Sequence, residues 1–145
     1  LSSHIKAVLV FWRLCHPLPG CRAFSRYLNS DPRISPGVLE TRFGQFPREP
    51  AQQNSLWYRI YRRNENHPAI RDAHGCYLLT RDLTSLSAIF LVILGPAVIY
   101  LLDDTNRALT YLIMLVILYG FTSQAARTYG KRFVTSVLAI ESRNT

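Results

Sequence analysis

Leu83–Leu102 (LTSLSAIFLVILGPAVIYLL) is twenty residues without a charge, and only five polar residues, Asp103-Asp104-Thr105-Asn106-Arg107, separate it from a second charge-free run, Ala108–Ala125 (ALTYLIMLVILYGFTSQA). At 1.5 Å rise per residue the first run covers about 30 Å as a helix, the thickness of a bilayer's hydrocarbon core. A core helix of a water-soluble protein would keep a polar stripe over such a length. This one has only Thr84, Ser85 and Ser87 near its start. Two spans joined by five residues must be antiparallel neighbours. The expected fold class is therefore all-α: an integral membrane helical hairpin with a small, partly irregular helical cytoplasmic region.

Charge sets the expected orientation. The chain carries a net charge of +8, and its first 82 residues hold twelve Lys/Arg against six acids. The loop between the spans has two Asp and one Arg, whereas Arg71 and Arg81 precede the first span and Arg127, Lys131 and Arg132 follow the second. Cytoplasmic flanks collect basic residues, so both termini are expected in the cytoplasm, with the protein multi-pass in the cell inner (plasma) membrane. Tyr100, Tyr111, Tyr119 and Phe121 fall near the expected interfaces. Pro96, after Gly95, is expected to kink the first span. The basic bias implies contact with anionic lipid or with an anionic partner such as a nucleic acid or nucleotide.

The remainder divides into a basic cytoplasmic region (1–68), a stalk plus hairpin (69–125) and a basic C-terminal helix (126–145). Ile5–Leu14 is apolar but too short to span. With Leu1 as the first residue of the sequence, it reads either as an interfacial helix, Trp12 at headgroup level and Lys6 and Arg13 snorkelling, or as the end of a longer apolar segment. Residues 21–54 look irregular, with turns at Asp31-Pro32 and Ser35-Pro36-Gly37. A helix is predicted from an N-cap at Asn54 or Ser55, with Leu56, Trp57, Ile60 and Tyr61 on one stripe. Pro68 ends it and opens the next, which is expected to run from Ala69 straight into the membrane. Cys15, Cys21 and Cys76 make an odd number, which suggests free thiols and a reducing compartment.

Four constellations are chemically suggestive. Arg59, Arg62 and Arg63 with Trp57 and Tyr61 form a basic-aromatic run suited to an anionic ligand, a single strand or lipid phosphates. Its plainer reading is an amphipathic helix. Arg62-x4-His67 has the Arg…His spacing of HEPN-type ribonucleases, although Pro68 disturbs the helix that should carry the histidine. Cys15, His16, Cys21, His74 and Cys76 lack the paired spacing of a structural zinc site, and no metal or cofactor is expected. Ser85, Ala88 and Gly95 share one face of the first span, with Gly120 on the second, where small residues permit close helix packing within a hairpin or between subunits. Neither span holds an Asp, Glu, Lys, Arg or His, which argues against a pump, a proton-coupled transporter and an intramembrane protease.

The Gln53-Asn54-x-x-Trp57-Tyr58 segment, the stalk ending Tyr77-Leu78-Leu79-Thr80-Arg81-Asp82 and the hairpin after it resemble small bacterial two-helix membrane effectors of the anti-phage defence type. That resemblance is architectural and covers about half the chain. It implies a homo-oligomer that permeabilises the membrane when triggered. On this reading the chain is a pore- or channel-forming effector, gated from the cytoplasm by an anionic ligand or a regulatory protein partner, with Ser85, Ser87, Thr110, Thr122 and Ser123 facing the lumen. The alternatives are a membrane-anchoring subunit that docks a cytosolic partner, and a membrane-tethered ribonuclease using Arg62 and His67.

Overall fold

The computed structural model describes Ser2–Asn144, and all its regular elements are helical: α1 (Ser3–Phe11), α2 (Pro36–Phe43), α3 (Pro50–Asn64), α4 (Pro68–Leu101) and α5 (Thr105–Arg143). A 3₁₀ turn (Pro19–Arg22) and a π turn (Ala23–Tyr27) lie between α1 and α2. At 1.5 Å per residue α4 is about 51 Å long and α5 about 58 Å. Both exceed a bilayer's hydrocarbon thickness, so each has a half to spare. The two far halves form the apolar hairpin, and the near halves enter a helical bundle.

Local chemistry fixes where these helices begin. His67 caps α4, its Nδ1 accepting from the Ala69 amide at 3.3 Å, and Pro68 follows at the first helical position. Asp104 caps α5, accepting from the amides of Asn106 (2.9 Å) and Arg107 (3.4 Å). Pro96 has no N–H to donate, yet α4 continues through it to Leu101. Helix α3 starts at Pro50, with Glu49 at the cap, five to six residues before the predicted cap at Asn54 or Ser55. A proline pre-set for the first turn starts the helix without a side-chain cap.

The bundle's core draws on all three expected divisions of the chain. Phe24, Leu39, Trp57 and Ile60 meet Ile70 and Tyr77 of α4 and Phe133, Val134, Val137 and Leu138 of α5, all buried. The expected stalk, residues 69–82, is the first part of the continuous helix α4 and packs in this core, and residues 126–143 are the last part of α5. Phe133 sits at the centre, edge-on to Trp57 (5.2 Å) and Tyr61 (5.4 Å) and stacked on His74 (4.8 Å). Gly130 lets the helices approach here: a Cβ on it would lie 3.1 Å from both Phe11 and Tyr77.

The stripe of α3 ends in a buried amide on each side. Gln53 accepts from the Phe24 and Ser25 amides and donates to the Arg48 carbonyl, which ties the π turn to α3. Asn64 donates to the buried Glu141 carboxylate, and Arg42 pairs with that carboxylate at 3.1 Å. This knot fastens the end of α5 to α2 and α3. The hairpin differs: Val92, Ile99, Tyr100, Leu101, Met114 and Phe121 all stand exposed. Helices α4 and α5 are both long and apolar enough to cross a membrane.

Candidate functional site: the collar between bundle and hairpin

Where the bundle gives way to the hairpin, α1 lies across α4 and α5. A helix end leaves carbonyls without partners. At the end of α1 three α5 side chains supply them, spaced four residues apart on one face. Tyr119 donates to the Leu9 carbonyl (2.8 Å), Ser123 to the Val10 carbonyl (3.1 Å), and Arg127 Nε to the same Val10 carbonyl (2.7 Å). The Arg127 charge also stands at the negative end of the α1 dipole. Trp12 stops α1 in the left-handed conformation (φ 53°). Its indole N–H donates to Tyr119 Oη (2.9 Å), the Arg127 guanidinium covers its ring at 4.2 Å, and 64% of the residue remains exposed. A half-wet indole with its polar edge satisfied is the arrangement found at membrane–water interfaces.

The opposite side of α1 is held by charge. Lys6 Nζ lies 3.0 Å from Asp82, which also accepts from Arg81 (3.2 Å), and Arg81 reaches the Ser3 hydroxyl (3.2 Å). Burial works against the Asp82 charge, but the hydrogen bonds from Lys6 and Arg81 outweigh it and hold the carboxyl below its ordinary value. The last ion pair before the apolar half of α4 therefore clamps α1 in place.

The structure splits the predicted basic-aromatic run. Trp57 and Tyr61 turn inward onto Phe133, while Arg59, Arg62 and Arg63 stand exposed on the other side of α3. Arg62 pairs with Glu65 (2.8 Å), and Arg63 lies 3.9 Å from Glu141. Arg62 and His67 do not meet, because one is bonded to Glu65 and the other caps α4. Among the described residues no three His, Cys, Asp or Glu gather as metal ligands, and the cysteines are free. Ser85 and Gly95 are buried, Ala88 is half-buried, and a Cβ on Gly95 would meet Leu112 of α5 at 3.5 Å. Gly95 therefore packs the hairpin against itself, whereas Gly120 is exposed with open space beside it.

Sequence reasoning placed Trp12 and Tyr119 near an interface but assigned Ser123 to a pore lumen and Arg127 to the basic flank, whereas both donate to the Val10 carbonyl at the end of α1. The available signal was the four-residue spacing of polar groups on α5, one face of a helix, pointing to a short partner helix. The fold and collar define a helical bundle joined through an aromatic and charged collar to an apolar helical hairpin. No family model, curated protein or solved structure matches the chain.

Proposed function

We propose that the chain is a two-span membrane anchor. The hairpin crosses the plasma (inner) membrane, the Asp103–Arg107 loop faces outside, and the bundle with both termini is held on the cytoplasmic surface as a platform for an anionic ligand or a partner protein. One observation carries this reading. The far half of the hairpin presents large apolar side chains, and at the collar it gives way to Trp12, Tyr119 and Arg127 and then to a basic bundle. Lys and Arg near an anionic leaflet each add about 1 kcal/mol of attraction.

An oligomeric pore is the competing reading, and it needs a polar lining. Ser85, Ser87, Thr110 and Thr122 each donate to a carbonyl one turn back in their own helix, and Ser123 donates to Val10. Ser85, Ser87 and Ser123 are moreover buried between the helices and not open to a lumen, which favours the anchor reading. The protein should stay in membranes through alkaline carbonate washing. In a background without native cysteines, Thr105→Cys should be labelled by an impermeant maleimide from outside, and a reporter after Thr145 should read cytoplasmic. Release by carbonate, or labelling of residue 105 from the cytoplasm only, would overturn the reading. Leakage from liposomes holding the protein alone would favour the pore.

A further inference from the structure

Beside the collar, the chain after α1, the two short turns and α5 line an open cavity of about 420 Å³. Five cations line it: Arg13 just beyond α1, Arg22 and Arg26 on the turns, and Arg127 and Lys131 one turn apart on α5. No acid lines it. Of the twelve Lys and Arg outside the cavity, Lys6, Arg33, Arg42, Arg62, Arg63, Arg81 and Arg107 have a carboxylate within 4.0 Å, and the other five, Arg48, Arg59, Arg71, Arg132 and Arg143, do not line a shared cleft. None of the five cavity cations has one among the described residues.

Gathering like charges in a partly buried cleft is unfavourable unless something neutralises them. The strain registers at Arg22, where burial first, then the Arg13 and Arg26 charges, lowers the guanidinium pKa. A cleft of one sign with low-dielectric walls focuses its field and concentrates counter-ions. Phe11 and Tyr27 supply an aromatic wall to the same cavity.

We propose that this cavity is a binding site for a phosphate-bearing anion, its phosphate taken by the Arg22, Arg26 and Lys131 side chains and its less polar part lying against Phe11 and Tyr27. A carboxylate would neutralise one of the five charges. A phosphate monoester brings close to two charges and three strong acceptors, and arginine forks match that geometry. The phosphate has two possible sources: an anionic lipid headgroup from the adjoining leaflet, or a soluble phosphate ester. The cation cluster stands whether or not the hairpin inserts, and only the lipid source rests on the anchor reading.

The test uses the full chain in a neutral, phosphate-free detergent, with binding read from the shift in melting temperature. One arm titrates inorganic pyrophosphate. The other compares mixed micelles containing phosphatidic acid, whose headgroup is a phosphate monoester, with micelles containing phosphatidylcholine. At least one anionic probe should stabilise the wild type, and Arg22→Gln and Lys131→Gln should each weaken that probe about tenfold. Arg71→Gln, an exposed change on α4 outside the cavity, should leave it unchanged. Without any probe Arg22→Gln should melt no lower than wild type, because it relieves repulsion. The exposed Lys131→Gln decides the matter if Arg22→Gln folds poorly. A response to phosphatidic acid alone assigns the headgroup as ligand, and a response to pyrophosphate assigns a soluble phosphate. No response to either, or an equal loss in Arg71→Gln, overturns the proposal.

Discussion

His74 links the packing of single side chains to a measurable property. Its ring stacks on Phe133, and its Nδ1 lies 3.3 Å from the Tyr61 hydroxyl. Burial first, then the Arg81 charge, push its pKa below the ordinary 6.5. The folded protein therefore keeps the ring neutral where the unfolded chain takes up a proton. By linkage the contribution is fully present above pH 6.5 and declines as pH falls towards the lowered folded value, because the unfolded state then binds more protons. His74→Gln removes that titration. The melting temperature of wild type should fall faster than that of His74→Gln as pH is lowered from about 7.5 to about 5. Parallel curves would mean that the ring is freely protonated in the folded state.

At the scale of elements, α1 depends on others for its place. Nine residues are too few for a stable isolated helix, so its order comes from docking. Three α5 side chains satisfy its last carbonyls and Asp82 clamps its Lys6. Ser123→Ala removes one buried bond and should cost about 1 kcal/mol, and Arg127→Ala, which loses a charged donor, about 2 kcal/mol. Hydrogen exchange should rise at the α1 amides in both variants and stay unchanged around Val134 and Val137. Uniform loss of protection would mean that α1 unfolds only with the whole bundle. The sequence made the hairpin legible because charge-free length has few other readings. It also made the α3 stripe legible, since Leu56, Trp57, Ile60 and Tyr61 recur at helical spacing. It did not make the cavity legible: Arg13, Arg22 and Arg26 sit in irregular turns, and only the docking of those turns on α5 brings them to Arg127 and Lys131. The buried Glu141 was equally hidden, because a lone acid near a chain end looks solvated until Asn64 and Arg42 arrive from other helices.

The whole molecule is a pair of long antiparallel helices used twice, once as an apolar hairpin and once as the spine of a bundle, with α1 marking the change. The two tryptophans report on this division separately. Trp12 lies at the collar beside Tyr119, exposed and hydrogen-bonded. Trp57 is buried against Phe133, fourteen residues further along α5, or about 21 Å at 1.5 Å per residue. If the hairpin crosses the bilayer up to the collar, Trp12 belongs at headgroup depth and Trp57 lies beyond reach of the acyl chains. In vesicles of brominated phosphatidylcholine, Trp57→Phe, which leaves Trp12 as the only emitter, should be quenched most by bromines near the headgroups and least by those near the bilayer centre. Trp12→Phe, which leaves Trp57, should be quenched by neither and should keep the emission of a buried indole. Equal quenching of both would place the bundle itself in the lipid, and quenching of neither would mean that the hairpin does not insert to the depth the collar marks.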